Sequence, residues 1–375
     1  MANLQHIRRR IKSVKNIQKI TNAMDMIARS RFNAARDALL NNLPYVAKTK
    51  EIMRRVMSQM RGQEYAHPFV KTRDELIAEQ QQADGKFLFI VIASDKGLAG
   101  SFASNVFKEA HDTIEYDGTD TGTSLDDDGD DENFHKKNFD ALKNVKPMRS
   151  GGGVRKQQRQ MSATNGMARS TARGGGANSS GANVSVAREY NDAAYIDGIE
   201  LITVGRKATT HFQQRGYNVI KSYHGISERP QYKYAKEIAD LVIDRFESGE
   251  IIDVTLIYTQ FRSAISCVPD DVTLLPIVTD DYAKASENLK EEYIYEPDVV
   301  TVLNNFLPGR IATRIYGAML HSAASELSSR MNAMSNATDN AQELVGRLNL
   351  FYNKVRQAGI TNEINEIVGG ANALE

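Results

Sequence analysis

The loop Ser94–Gly100 is the first segment of this sequence whose residues could hold a ligand. It follows an apolar run, Phe87–Ala93, which is typical of a buried parallel strand, and open α/β sheets often bind ligands at the carboxyl ends of such strands. A phosphate cradle needs several converging amide groups and usually a lysine at a fixed position. The loop contains Gly-x-x-Gly but neither phosphate-binding fingerprint, so we interpret it as a tight strand-to-helix turn and predict no cofactor.

Metal-binding patterns are similarly incomplete. Asp126, Asp128 and Gly129 resemble part of an EF-hand loop, but that frame puts Ser124 at the first ligand position and His135 where a bidentate glutamate belongs. We therefore interpret this stretch as a solvated acidic run. The seven histidines show no spacing typical of a metal site, which predicts no bound metal: His6, His67, His111, His135, His211, His224 and His321.

Covalent catalysis has no recognisable set of residues. Cys267 lies in a strand-like stretch with no histidine near it in sequence, and the chain has no Gly-x-Ser-x-Gly elbow. The sequence predicts no catalytic residue and no direct small-molecule substrate.

Composition limits the class of protein. A chain of 375 residues favours two structural units. Its 47 basic and 47 acidic residues balance, so any electrostatic role depends on local asymmetry. The single cysteine excludes an internal disulfide and fits a reducing cytoplasm. There is no signal core at the start and no apolar run of about 18 residues, so we predict that any membrane association occurs through a partner.

The two ends of the chain have matching helical patterns. We predict a shaft helix over 1–60, bent at Pro44, and a second over 298–375. Because long apolar seams need a partner, an antiparallel coiled coil of the two ends is the simplest arrangement, and two helices packed flat on a globule are the less favoured alternative. The seam residues are Leu4, Ile7, Ile11, Val14, Ile17, Met24 and Ile27, and then Leu327, Met331, Met334, Ala341, Leu344, Leu348, Phe351 and Val355.

Residues 86–280 alternate strand and helix patterns, which predicts an α/β domain with a mostly parallel, Rossmann-like sheet. The last predicted strand, 272–278, is assigned to the sheet edge because Pro276 cannot serve a central ladder. The predicted strands are 87–93, 198–204, 217–222, 251–258 and 272–278, and the predicted helices begin at 101, 206 and 234.

Residues 117–190 interrupt this domain with a low-complexity, charged insertion. They hold eleven of the chain's 26 glycines and only six Leu, Ile or Val residues, too little apolar surface to offset the entropy of ordering. Residues 117–132 carry eight acids and no base, whereas 136–173 carry ten bases and one acid. We predict a largely disordered surface segment with one short helix near 139–145.

The first helix is strongly basic: residues 1–36 hold nine Lys or Arg and one acid, Asp25. A solvated helix face is the ordinary explanation, but a one-signed run favours acidic protein surfaces or nucleic acid as partners. The near absence of aromatic residues disfavours nucleic acid.

Three motifs resemble the γ subunit family of F-type ATP synthases: Ile20–Ala28, Ser94–Gly100, and Ser329–Asn340 followed by Tyr352–Thr361 and Glu366–Ala371. The resemblance implies a rotor shaft inside a ring of three α and three β subunits, with a foot on the membrane c-ring beside the ε subunit. It implies coupling of proton-driven rotation to the β sites, no active site of its own, and a peripheral position on the cytoplasmic face of the bacterial membrane. The implied contacts with β are Arg8, Arg9, Lys12, Lys19, Met24, Arg330, Arg356 and Gln357.

The chain departs from the family pattern at Lys96 and Ala99, where Arg and Cys are common, and in 117–190, which lacks a cysteine pair. We hypothesise that this insertion acts as a brake, and a solvated tether is the equal alternative. A free-standing coiled-coil adaptor and a nucleic-acid binder are the competing functions. The coupling ion and the preferred direction of the reaction stay open.

Overall fold

A computed structural model describes residues 2–60, 69–71, 85–116, 198–278, 295–296 and 298–372. The helices are α1 (Ala2–Met60), α2 (Phe102–Tyr116), α3 (Arg206–Gln213), α4 (Tyr232–Glu247) and α5 (Val299–Asn372). The strands are β1 (Val70–Lys71), β2 (Lys86–Ile92), β3 (Ile199–Val204), β4 (Asn218–Tyr223), β5 (Ile251–Phe261), β6 (Cys267–Leu275) and β7 (Ile277–Val278).

Helices α1 and α5 pair in opposite directions to form a rod, as the sequence predicts. Near the free end, Nη2 of Arg8 donates to the hydroxyl of Tyr352 over 2.6 Å. Further along, the hydroxyls of Thr21 and Thr338 are 2.7 Å apart. Nearer the sheet, Leu39 packs in one cluster with Leu320. Residue numbers that rise on α1 therefore meet numbers that fall on α5, which confirms the antiparallel coiled coil.

Helix α1 continues without a break through Pro44, where the sequence predicts a bend. Helix α5 likewise continues through Pro308. Both prolines lie beside residues that pack in buried clusters, and this packing offsets the hydrogen bond that each proline removes.

The seam differs from the predicted one at four positions. Ile17 and Ile27 are 50% and 54% exposed, and Leu344 and Phe351 are also exposed. The buried residues of α1 recur at intervals of seven, and Thr21 and Asp25 are among them. A helix taken alone allows either a three- or a four-residue step, and only the partner helix decides between them.

Five strands form one sheet in the order β4-β3-β2-β5-β6. The first four are parallel and β6 is antiparallel to β5, so the predicted mostly parallel sheet is confirmed. The predicted edge strand 272–278 needs correction. The strand β6 begins at Cys267 and ends at Leu275, and after Pro276 the short β7 pairs with β1 in a separate ladder. Proline lacks the N–H that would continue the pairing.

Helices α2 and α3 cover one face of the sheet through a cluster that contains Phe89, Val106 and Phe212. Helix α4 covers the other face together with the C-terminal end of α1 and the N-terminal end of α5, which form the lower end of the rod. Met53, Leu256 and Leu307 share a second cluster there. Because the base of the rod is part of the core of the α/β unit, the two cannot separate without exposing apolar surface.

The insertion 117–190 lies outside the described residues, together with the short helix predicted near 139–145 and the acidic run around Asp126. The predicted limits of the three domains therefore stay predictions. Within the described part of the chain, none of the helices has an apolar stretch long enough to cross a membrane.

Candidate functional site

The loop after β2 is joined to neighbouring turns by hydrogen bonds. The carboxylate of Asp95 accepts the backbone N–H of Arg206 and of Ser227, each over 3.1 Å. Arg206 is the first residue of α3, so Asp95 occupies the place where a helix start would hold an anion. Burial tends to raise the pKa of Asp95, but backbone hydrogen bonds from Gly225, Ser227 and Arg206 outweigh it and lower the pKa. The loop thus binds the chain's own groups, as expected of a structural turn.

A cluster of five charged residues lies where the rod crosses the carboxyl ends of the strands. We call Arg31, Lys96, Glu228, Glu326 and Arg330 the charged junction. Glu228 pairs with Arg31 of α1, with Nζ of Lys96 at 3.2 Å and with Nη1 of Arg330 at 3.3 Å. Arg330 also donates through Nη2 to Glu326 over 2.6 Å. The junction therefore joins both helices of the rod to the loops after β2 and β4.

Burial differs sharply within this cluster. The side chains of Arg330 and Glu326 are 8% and 1% exposed, whereas that of Lys96 is 64% exposed. Burial raises the pKa of Glu326, and the charge of Arg330 and its hydrogen bond offset part of this rise. Burial acts in the same direction on Glu228, but its hydrogen bond with Lys96 and the charges of Lys96, Arg31 and Arg330 lower its pKa overall. Arg330 and Glu326 thus form a buried pair, and the more exposed Arg31 and Lys96 help to keep Glu228 charged.

A neutral polar contact holds the other side of α5. Strand β5 extends past its pairing with β2, which ends at Ile257. Beyond that point, the N–H of Thr259 donates to the hydroxyl of Ser322 over 3.3 Å, and the hydroxyl of Ser325 donates to the Thr259 carbonyl over 3.3 Å. Further out, Ser328 and Asn332 donate to the Ala264 carbonyl. Small side chains on α5 therefore replace a neighbouring strand along this part of β5.

The predicted contact residues on α1 form an exposed basic face on the upper half of the rod. Arg8, Arg9, Lys12 and Lys19 are all exposed, and Met24 is half-buried below them. Arg29, Arg31 and Arg36 lie further down and pair within the chain. The basic run thus divides into an upper part open to partners and a lower part used internally.

On α5, Arg356 and Gln357 are exposed beside the first turn of α1, whereas Arg330 is buried in the charged junction. The predicted contact of Arg330 with β stays a prediction. Its guanidinium is bound by the chain's own carboxylates.

Roughly fourteen residues at the end of α5 extend past the start of α1, a length of about 20 Å. Ile360, Ile364, Ile367 and Val368 are exposed there. An apolar tip on a charged rod fits a partner that surrounds it.

Two histidines form a pair on the opposite side of the sheet from α4. The Nε2 atoms of His111 and His211 are 3.1 Å apart, and the ring of His211 stacks on Phe107 with centroids 4.0 Å apart. Burial, together with the charges of Arg215 and His111, lowers the pKa of His211 to about 4. Cys267 is half-buried, and burial raises its pKa. In the described ranges, no group of three or more potential ligand residues is placed to hold a metal ion.

Of the five residues in the charged junction, sequence reasoning named only Arg330 as a site residue and missed Arg31, Lys96, Glu228 and Glu326. Glu326 carried a usable signal, since it lies four residues before Arg330 in a stretch of small and apolar residues. Glu228 carried none, because its three partners lie 102 to 197 residues away.

The sequence of this chain matches a known protein family. The family model described as "ATP synthase" matches residues 3–127 and 155–374. An ATP synthase gamma chain of Pelotomaculum thermopropionicum is 33% identical over 375 residues, with all of both chains covered. The gamma chain of Desulforamulus reducens is 31% identical over 376 residues, also with full coverage of both.

A solved structure has a similar fold. The match is to a chain of the Euglena gracilis mitochondrial ATP synthase, in a structure that contains OSCP, F1 and the c-ring. The TM-score is 0.54 at 13% identity, covering 100% of this chain and 95% of that one. At 13% identity, this likeness shows the fold alone.

Proposed function

This chain belongs to the family of ATP synthase gamma chains, and from that premise we propose that it is the central rotor subunit of an F-type ATP synthase. In this role it has no active site of its own. It couples proton-driven rotation to changes of conformation at nucleotide sites that neighbouring subunits provide.

The observation that carries the proposal is a long, uneven rod fixed to a compact unit. Helices α1 and α5 have 59 and 74 residues, which gives lengths of about 90 and 110 Å. One side of the upper rod carries the exposed bases of α1, and the tip carries the exposed apolar residues of α5. A surrounding ring of identical sites meets a different surface of such a rod at each position. Unequal contacts are what can shift those sites between conformations.

The partners follow from this arrangement. The rod lies in a ring of three α and three β subunits, and the α/β unit contacts the ε subunit and the membrane c-ring. The chain is thereby held peripherally at the cytoplasmic face of the bacterial membrane. The residues proposed to contact β are Arg8, Arg9, Lys12, Lys19, Met24, Arg330, Arg356 and Gln357. Within the chain, Arg330 also belongs to the charged junction.

For the insertion 117–190 the proposal is a regulatory brake, supported by its acidic and basic halves. Deleting it and measuring ATP hydrolysis by the complex decides between brake and tether. A brake predicts faster hydrolysis, and an unchanged rate leaves only the tether.

The rotor proposal is tested by assembling the chain with its α and β subunits on a surface and attaching a bead to the α/β unit. We expect stepwise, one-directional rotation of the bead on adding ATP. The chain by itself should not hydrolyse ATP.

A second variant replaces Arg8, Arg9, Lys12 and Lys19 by glutamine, which keeps polar side chains and removes the exposed charges. This variant should rotate with lower torque. A chain that assembles normally but whose bead never turns on adding ATP contradicts the proposal.

A further inference from the structure

Glu228 contacts both helices of the rod from one position on the α/β unit. It binds Arg31 of α1 on one side and Arg330 of α5 on the other. Its third partner, Lys96, lies on the loop after β2. Arg31 and Arg330 are on different helices, so they lie on different sides of the rod's long axis.

This placement has a mechanical consequence. Because α1 and α5 lie on either side of the rod's axis, turning the rod carries the backbone of one helix towards a fixed Glu228 and that of the other away from it. One of the two contacts must lengthen whichever way the rod turns. A carboxylate that is 14% exposed loses its partners at a higher cost than a solvated one does, so the contact resists rotation in both senses.

The loop that carries Glu228 is itself fixed. The backbone N–H of Ser227 donates to Oδ2 of Asp95 over 3.1 Å, and the hydroxyl of Ser227 accepts the N–H of Asp95 over 3.1 Å. Asp95 is tied in turn to the first residue of α3. Force on Glu228 therefore passes into the sheet and not into a free loop.

A second set of contacts, separate from those of Glu228, also attaches α5 to the α/β unit. Ser325 and Ser328 hold α5 to strand β5 and to the turn after it. The hydrophobic core at the base of the rod is a further attachment, so the rod is held at separated points and cannot twist at one without straining the others.

We propose that Glu228 is the positioning residue that locks the rotation of the rod to the rotation of the α/β unit. The proposal rests on the rotor function, since it describes how twist passes from one part of the rotor to the other. An ordinary stabilising ion pair would affect unfolding but not the torsional stiffness of the folded chain.

The test uses the assembled complex, paused without ATP, with a bead on the α/β unit. The thermal spread of the bead's angle reports torsional stiffness, because a softer connection allows a wider spread. Glu228→Gln keeps the side-chain shape and removes the charge, and it should raise the angular variance about twofold because three bases lose a shared carboxylate.

The matched control is Glu237→Gln, the same chemical change on the same unit. Glu237 is half-exposed and binds Tyr223 and Lys221, away from the rod, so its variance should equal that of the wild type. Glu228→Asp, which restores the charge at a shorter reach, should recover part of the stiffness.

Arg31→Gln weakens the lock from the side of α1 and should also widen the angular spread, which keeps the test usable should Glu228→Gln fail to assemble. Wild-type variance in an assembled Glu228→Gln or Arg31→Gln complex overturns the lock. A wild-type chain that does not rotate with ATP instead contradicts the rotor function, so the two failures are distinguishable.

Discussion

At the scale of single residues, the same kind of Arg–Glu ion pair contributes differently to stability at two places on α5. Arg330–Glu326 and Arg347–Glu343 both join residues four apart on this helix. The first pair is almost fully buried, whereas the side chains of the second are 73% and 62% exposed. An exposed pair is screened by water, whereas breaking a buried pair leaves a charge without compensation. The position of the pair, and not its chemistry, decides its contribution.

Arg330→Ala should lower the free energy of unfolding by about 3–5 kcal/mol, because Glu326 then stays buried without its cation. Arg347→Ala is the matched control and should cost less than about 0.5 kcal/mol. Urea denaturation of the full chain, followed by circular dichroism, measures both. Equal losses in the two variants would show that burial does not set the value of the junction.

His211 should make stability depend on pH. Its pKa is lowered from 6.5 to about 4 in the folded chain, so the unfolded chain binds more protons between these values. Stability is therefore complete above pH 6.5 and is lost as the pH falls towards 4. After discounting for the partial exposure of the ring, we expect a loss of about 1 kcal/mol.

The measurement is urea denaturation at a series of pH values for the wild type and for His211→Gln, which should lose this component of the slope. Identical pH profiles for His211→Gln and the wild type would refute the assignment.

At the scale of elements, the turns at the carboxyl ends of β2 and β3 decide how closely the strands and helices approach. Gly205, between β3 and α3, has a φ of 103°, and a Cβ there would lie 2.3 Å from the carbonyl oxygen of Ala93. Its N–H donates to the carbonyl of Tyr223 over 2.8 Å. Only glycine allows this approach, because any side chain would push β3 away from the end of β2.

Gly205→Ala should therefore prevent normal folding or lower the free energy of unfolding by more than about 3 kcal/mol, since clash adds to backbone strain. Gly216→Ala is the control, because Gly216 also has a positive φ, 83°, but a Cβ there meets nothing within 4 Å. It should cost only about 1 kcal/mol from strain. Expression yield and urea denaturation compare the two, and a mild effect of Gly205→Ala would contradict the close approach.

At the scale of the whole molecule, the chain is a rod whose lower end is part of the core of the α/β unit. The lower rod shares buried clusters with the sheet, the middle is held by the charged junction, and the tip of α5 has no neighbour on α1. Stability is therefore concentrated at the base, while the exposed basic and apolar surfaces of the rod lie towards the far end. This separation allows contact residues to change without loss of the fold.

Removing the residues after Ala358 should leave the free energy of unfolding within about 1 kcal/mol of wild type, because the side chains of Ile360, Ile364, Ile367 and Val368 are already exposed. The same truncation should weaken binding to the α and β subunits, which co-purification at matched salt measures. A matched control replaces Ile360, Ile364, Ile367 and Val368 by serine in the full chain. A large fall in the unfolding midpoint of the truncated chain would mean that the tip folds back onto the chain.

The sequence by itself determined the two terminal helices, the alternating strands and helices between them, and the absence of a recognisable phosphate cradle in Ser94–Gly100. These depend on local periodicity and on short motifs, which each segment contains without reference to the rest. The family resemblance likewise came from motifs of contiguous residues. The tertiary structure decided which face of each helix is buried, so Ile17 and Ile27 lie outside the seam and Thr21 and Asp25 lie within it. It also decided that Arg330 faces inward and that Glu228 binds Arg31, Lys96 and Arg330. A contact between residues that are a hundred or more positions apart depends on how the rod is seated on the sheet, and no local pattern in the sequence encodes that placement.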